Sequence, residues 1–294
     1  MVYTRVGKLS LIGFPYVIIM LGIVLLISQV SLGQEVSEPV SFKHQVVPVL
    51  TKAGCNAGAC HAKAGGGQNG FQLSLLGYEP AEDYEALVKG ARGRRLFPAA
   101  AERSLLLMKA TGQLPHGGGA RLELGSPEYD LIKRWIEAGM PESPANEAQL
   151  ISLEVVPPRA TLAPGANQSL SVVATFSDGT QRDVTSTALF ESNDSNMATV
   201  TPEGRVDILD VPGKVAIMVR YEDKVDVFSA LVPLGETGGP MPEPNNFIDE
   251  LVFASLDEIG IPASKDCDDA TFLRRVTLDI AGRLPTLELS LIHI

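Results

Sequence analysis

The sequence is organised around residues 55–61, Cys55-Asn56-Ala57-Gly58-Ala59-Cys60-His61. This stretch holds two of the three cysteines in a chain of 294 residues, and a histidine follows the second cysteine directly. Cys-x-x-Cys-His is the usual pattern of c-type haem attachment, and here the gap between the cysteines is wider. Two thiols on one short turn can bond to the two vinyl groups of one porphyrin, which leaves His61 as the proximal iron ligand. The motif therefore predicts one covalent haem c held by Cys55, Cys60 and His61.

Two other interpretations of the motif stay open. A Cys55–Cys60 disulfide suits an exported protein but gives His61 no role. A structural zinc site usually takes four ligands, commonly in two spaced pairs. The remaining cysteine, Cys267, is far along the chain and has no neighbouring partner. Haem is the interpretation that uses all three residues of the motif.

The composition excludes some classes of partner. The net charge is -11 and the pI is about 4.9. Binding to nucleic acid needs a basic face, so we expect no nucleic-acid partner. Three cysteines are too few for disulfides to hold the fold together. The length allows two or three domains.

Residues 1–33 have the pattern of an export segment. Arg5 and Lys8 precede an apolar run over residues 9–27, and Ser31-Leu32-Gly33 offers a cleavage site. The run is close to the length that spans a bilayer, so it predicts either a signal peptide or an N-terminal membrane anchor. We expect the rest of the chain to be periplasmic or on the cell surface, outside the cytoplasm.

Further along, two groups of side chains are candidates for the same cofactor. Arg94 and Arg95 could pair with haem propionates, because guanidinium matches carboxylate in a bidentate geometry. His116 lies between a proline and three glycines, which favours close approach to a flat group, and is the candidate distal ligand. Met108 is the alternative, because a thioether also binds haem iron. Two weaker candidates are His44 and Met140.

Several longer stretches together resemble the planctomycete-type cytochrome c domain. They are FKHQVVPVLTKAGCNAGACHAKAGG from residue 42, GARGRRLFPAAAERSLLLMKATGQLPHGGGARL from residue 90, and SPEYDLIKRWIEAGMP from residue 126. The resemblance implies an all-α haem domain over residues 42–141. By position, Cys55 and Cys60 would hold the haem and His61 would be the proximal ligand. Its usual distal residue is a methionine before the last helix; Leu114-Pro115-His116 stands there instead.

The second half of the chain predicts other domains. Alternating apolar residues and regular turns over residues 151–234 predict an all-β sandwich, and VVATFSDGTQRDVTSTALFESNDSNMATVTPEGRV resembles bacterial immunoglobulin-like domains of group 2. A linker rich in proline and glycine follows over residues 235–246. Residues 247–288 read as helices and resemble the start of an uncharacterised domain of long planctomycete proteins. We expect a truncated fragment, in which residues 289–294 are a non-native tail encoded by a sequencing adapter.

The leading hypothesis is an exported c-type cytochrome module on an immunoglobulin-like spacer. Such a module transfers electrons to a redox partner protein and turns over no substrate of its own. One alternative is a non-redox protein of the cell surface, adhesive or carbohydrate-associated, with a Cys55–Cys60 disulfide. Another is a haem-based sensor whose sixth iron position is open.

Overall fold

The structure is a computed structural model that describes residues 1–2, 39–143, 146–235 and 239–293. Most of the predicted export segment, including the apolar run 9–27, lies outside these ranges. Within them, no helix has both the length and the apolar character needed to cross a membrane. Residues Val40–Ile294 form one compact unit.

Residues 42–141 form short helical segments joined by loops. A π-helical turn at Phe42–Val46 continues into helix α1 (Val47–Lys52), and α2 (Pro80–Tyr84) continues into a second π-helical turn at Glu85–Lys89. Helices α3 (Leu105–Ala110) and α4 (Pro127–Glu137) follow. Single 3₁₀ segments lie at Lys63–Gly65, Leu75–Gly77, Gly90–Gly93 and Pro98–Arg103.

The expectation of an all-α domain over residues 42–141 is therefore wrong. Helices α1 to α3 have five or six residues each, and isolated β-bridges join Ala62 to Leu73 and Gln68 to Phe71. Between residues 39 and 235 the regular structure is mostly β-sheet. Left-handed residues such as Leu76 and Ala91 interrupt the helical turns, and the many glycines and prolines stop longer helices from forming.

Helix α4 is the longest regular element of this region, and its sequence accounts for its position. Ser126 accepts a hydrogen bond from the Tyr129 backbone N–H at 3.2 Å, and a proline occupies the first turn. Trp135 is fully buried on its inner face, with its ring centroid 5.2 Å from that of Phe42. Burial of each such side chain stabilises the fold by about 1.5–3 kcal/mol. Trp135 therefore packs against the helical turn before the cysteine motif.

A β domain is present over residues 150–232, but it has three small sheets instead of two. The first sheet has the order β1-β4-β5, with β1 at Leu150–Val156, β4 at Ser171–Phe176 and β5 at Gln181–Asp183. The second has the order β2-β10-β9-β6, with the strands Arg159–Thr161, Lys224–Val232, Gly213–Tyr221 and Leu189–Ser192. The third has the order β3-β8-β7, with the strands Asn167–Ser169, Arg205–Ile208 and Ala198–Val200.

One hydrophobic core fills the space between these sheets. Alternate residues of β9 are buried, including Ile217 and Val219, and Phe176 and Phe228 enter the same core from β4 and β10. Period-two alternation is the expected pattern of strands with one face on a core. All strand pairs are antiparallel except β2 with β10, which are parallel.

The helical region and the β domain pack against each other around His44. The His44 side chain is 2 % exposed, and its Nδ1 lies 2.5 Å from Oε1 of Glu222. Its Nε2 lies 2.8 Å from the carbonyl oxygen of Ala148. The Tyr221 hydroxyl donates to the His44 carbonyl at 2.5 Å, and the Phe176 ring packs edge-on against the imidazole.

The chain after the β domain forms three helices. They are α5 (Phe247–Ile259), α6 (Asp269–Ala281) and α7 (Leu287–His293). Asn246 and Asp268 cap the first two helices through side-chain hydrogen bonds, and a left-handed glycine ends each one. Large apolar side chains on all three helices stay exposed.

Candidate functional site

A cavity of about 510 Å³ lies beside the cysteine motif. Its volume is within the usual range for a site that takes a small molecule or cofactor. Its walls come from the motif, the glycine-rich loop of residues 63–70 with the residues just after it, α3 and the loop before α4. They include Cys55, Cys60, His61, Asn69, Phe71, Arg94, Arg95, Leu106, Lys109, His116 and Arg121. The six residues that the sequence predicts for the haem site therefore all lie at one cavity: Cys55, Cys60, His61, Arg94, Arg95 and His116. Met108 is the predicted alternative to His116.

The two motif cysteines are free thiols and half-buried at the cavity wall. Burial raises the pKa of the Cys55 thiol to about 11, although the Arg121 guanidinium acts against that rise. Arg121 Nη2 lies 3.9 Å from Sγ of Cys60.

The His61 imidazole is oriented by the loop that follows it. Its Nδ1 lies 3.3 Å from the Phe71 carbonyl oxygen, so Nδ1–H donates there and Nε2 keeps a free lone pair. Burial lowers the pKa of His61 below the usual 6.5, the hydrogen bond to Phe71 opposes this, and the nearby His116 and Arg95 lower it further. The neutral, Nδ1-protonated imidazole is the form that binds a metal through Nε2.

His116 lies opposite His61 and is oriented in the same way. The two ring centroids are 6.1 Å apart, and the ring planes differ by 7°. Nδ1 of His116 donates to the Gly119 carbonyl oxygen at 2.8 Å, which again leaves Nε2 free. A Cβ atom on Gly118 would lie 3.0 Å from Cε1 of His116, so the missing side chain gives the imidazole its space.

The glycine-rich loop packs directly on the cysteine motif. A Cβ atom on Gly65 would lie 1.8 Å from the Gly58 carbonyl oxygen, so only glycine permits this approach. The same packing brings Asn69 and Phe71 to the cavity wall. The loop therefore forms part of the site.

The cavity wall is cationic although the chain is acidic. Arg94, Arg95, Lys109 and Arg121 line it, and no Asp or Glu is among its described lining residues. None of the four forms an ion pair within the parts of the chain that the structure describes. Uncompensated guanidinium and ammonium groups around a cavity attract carboxylates.

Arg94 and Arg95 differ in how they are held. Arg94 is exposed, whereas the Arg95 residue is 7 % exposed. Arg95 donates from Nη1 to the Ala86 carbonyl at 3.0 Å and from Nη2 to the Gly70 carbonyl at 3.2 Å. Burial, and then repulsion by Arg94, lower the pKa of Arg95 below its usual value.

The other sequence candidates lie elsewhere. Met108 is not among the described residues that line the cavity, because Leu105, Leu106, Lys109 and Ala110 form the cavity face of α3. Both ring nitrogens of His44 are bonded to the β domain and its connecting segment. Met140 packs against the hydrophobic core of the helical region. Cys267 is exposed in the segment before α6.

Arg121, Lys109 and Phe71 are site residues that sequence reasoning did not single out. Arg121 donates to the Gly118 carbonyl at 2.7 Å, and Lys109 donates to the Pro115 carbonyl at 2.8 Å, so both hold the loop that carries His116. For Arg121 and Lys109 the sequence signal was their position in the stretch GQLPHGGGARL and in the helix before it.

The donor set of the cavity fits a covalently attached haem. Two free thiols stand beside two imidazoles with available Nε2 atoms, and cationic groups are present for two propionates. A porphyrin iron needs only one or two protein ligands. In the described ranges, no group of three or more His, Cys, Asp or Glu residues is arranged to hold a metal ion.

One segment of the chain matches a known protein family. Residues 247–290 match the family PSCyt2, described as "Protein of unknown function (DUF1549)". The match covers helices α5 and α6 and the beginning of α7.

Other portions of the chain are similar to parts of individual known proteins. "Ice-binding protein 1" of Shewanella frigidimarina (strain NCIMB 400) is 36% identical over 74 residues, which is 25% of this chain and 8% of that protein. Domains 4 and 5 of the S-layer protein SbsC match with a TM-score of 0.25 and 16% identity, over 29% of this chain and 53% of that one. The S-layer protein rSbsC(31-844) matches with a TM-score of 0.26 and 18% identity, over 44% and 19%. The chain thus spans less than two thirds of each of these relatives.

Proposed function

We propose that residues 42–141 bind one haem c covalently and transfer electrons. Cys55 and Cys60 form the thioether bonds, His61 is the proximal iron ligand and His116 is the distal ligand. The observation that carries this proposal is the convergence of two free thiols and two similarly oriented imidazoles on one cationic cavity. The bound haem supplies the one-electron chemistry.

In this proposal, the protein's own side chains and backbone carbonyls bind the haem and orient the two imidazoles. The Phe71 and Gly119 carbonyls hold each imidazole with Nε2 directed away from its hydrogen bond. Arg94, Lys109 and Arg121 balance the propionate charges. Apolar side chains such as Leu50 and Leu106 exclude water from part of the cavity and so affect the reduction potential.

Co-expression with a haem-attachment system tests the proposal. We expect a red protein, heavier than the bare chain by one haem, that keeps its colour through acid–acetone extraction. The variant Cys55→Ser/Cys60→Ser should lose the haem on extraction, whereas Cys267→Ser should keep it. A colourless wild-type protein from a competent host would contradict the proposal.

Two alternatives predict other outcomes. A Cys55–Cys60 disulfide, as in a non-redox adhesive protein, would appear as a loss of two hydrogens in the intact mass and would block haem attachment. A haem-based sensor with an open sixth position would bind carbon monoxide rapidly in the reduced state. The orientation of the His116 imidazole toward the same cavity as His61 favours the six-coordinate electron carrier.

We further propose that the chain acts outside the cytoplasm. The charged and apolar pattern of residues 1–33 and the local match to an ice-binding protein support a periplasmic or cell-surface location. The chain would then belong to a planctomycete-type c-type haem protein, in which residues 247–290 begin a further domain. Its redox partner would be a protein.

A further inference from the structure

Arg95 makes contacts that a propionate ligand would not need. Its guanidinium is buried, and two of its N–H groups already donate to the backbone carbonyls of Gly70 and Ala86. Its guanidinium carbon lies 4.4 Å from the centroid of the Phe71 ring. A guanidinium over an aromatic face is attracted by the ring and fixes its plane.

Phe71 in turn contacts His61 twice. Its carbonyl oxygen accepts the hydrogen bond from Nδ1 of His61, and its ring centroid lies 4.7 Å from the imidazole centroid at an interplanar angle of 48°. Reciprocal backbone hydrogen bonds between Gln68 and Phe71 make this turn rigid. The chain of contacts therefore runs from Arg95 through Phe71 to His61.

We propose that Arg95 is a positioning residue for the imidazole of His61, acting through Phe71, and is not a propionate ligand. The inference rests on the proposed function, since it concerns the proximal ligand of that site. By holding the Gly70 carbonyl and the Phe71 ring together, Arg95 keeps the Phe71 carbonyl where Nδ1 of His61 donates. Arg94, Lys109 and Arg121, which also line the cavity, remain for the propionates.

The first test uses the haem-free full chain, so it does not depend on haem attachment. Nitrogen NMR of ¹⁵N-histidine protein reports which ring nitrogen of His61 carries the proton, with His61→Gln giving the assignment. We expect wild-type His61 to be protonated on Nδ1 and Arg95→Met to lose that preference. Arg94→Met is the matched control and should leave the His61 signals unchanged.

Arg95→Lys keeps the charge but cannot span both carbonyls, so it should also lose part of the Nδ1 preference. This variant keeps the test decisive if Arg95→Met does not fold. Full retention of the wild-type tautomer in Arg95→Lys or Arg95→Met would overturn the inference.

The second test uses the haem-loaded protein. In electron paramagnetic resonance spectra, Arg95→Met and Arg95→Lys should shift the signals that report the axial imidazoles. Arg103→Met, at an exposed residue that is not among the described residues lining the cavity, is the control and should not shift them. Unchanged spectra in both Arg95 variants would contradict the inference while the proposed function stands. Absence of covalent haem in the wild type would instead remove the proposed function.

Discussion

At the scale of single residues, backbone carbonyls orient both imidazoles of the site. The Phe71 carbonyl engages Nδ1 of His61, and the Gly119 carbonyl engages Nδ1 of His116. Each hydrogen bond selects the tautomer that leaves Nε2 as an acceptor. Hydrogen bonds of this kind fix the tautomer and the orientation of an imidazole.

Replacement of His116 should open one side of the iron. We expect haem-loaded His116→Ala to lose the six-coordinate low-spin absorption spectrum and to bind carbon monoxide much faster than the wild type, because only His61 then remains as an axial ligand. Stopped-flow mixing with carbon monoxide measures this. Met108→Leu is the control and should match the wild type; equally slow binding in His116→Ala would exclude His116 as a ligand.

His61 should make the stability of the haem-free protein depend on pH. Burial lowers the pKa of folded His61 below 6.5, so the unfolded chain binds more protons there as the pH falls. The free energy of unfolding is therefore highest above about pH 6.5 and decreases as the pH falls through that value. Urea unfolding at several pH values should give a smaller decrease for His61→Gln than for the wild type. Parallel curves would argue against the lowered pKa.

At the scale of elements, the π-helical turn Phe42–Val46 is tied to strand β9 and the residue after it. His44 directs both ring nitrogens at oxygen atoms, Oε1 of Glu222 and the carbonyl oxygen of Ala148. Glu222 has a side chain that is only 5 % exposed. A buried carboxylate that loses its partner is strongly destabilising.

We therefore expect His44→Ala to destabilise the protein by about 3 kcal/mol, since it leaves Glu222 buried without its hydrogen-bond donor. Chemical denaturation measures the change. Lys43→Gln is the matched control: its ammonium group lies 3.9 Å from Glu222 and is partly exposed, so the loss should be below about 1 kcal/mol. Equal effects of the two variants would show that His44 is not the main contact.

At the scale of the whole molecule, the β domain follows the helical region in the chain and also makes direct contacts with it. Besides the contacts of His44 and Tyr221, Lys43 donates to Gln149 at 2.6 Å and Lys52 donates to the Ser186 carbonyl. The isolated helical region would lose all of these contacts. The β domain is therefore more than a spacer, because it also holds residues of the helical region in place.

A fragment of residues 39–143 should accordingly show faster amide hydrogen exchange at Phe42–Val46 than the full chain, because its partners in the β domain are missing. A fragment of residues 39–235, which keeps the β domain, is the control and should protect these amides as the full chain does. Equal protection in the shorter fragment would mean that the two regions are independent.

The sequence by itself determined the features that depend on residues a few positions apart. The adjacent residues Cys60 and His61 complete the haem motif, and alternating apolar residues mark the strands of the β domain. These features follow from local backbone geometry and hydrogen bonding, which act over one or two turns. The exception was the all-α domain over residues 42–141, which the family resemblance implied and which this region of short helical turns, loops and isolated β-bridges does not form.

Only the tertiary structure decided which distant groups meet. The approach of Arg121 to Cys60 and the hydrogen bond between His44 and Glu222 join residues that are 61 or more positions apart. Nothing in the local pattern specifies such pairs. They arise because packing of the two hydrophobic cores fixes the elements and loops that carry these side chains.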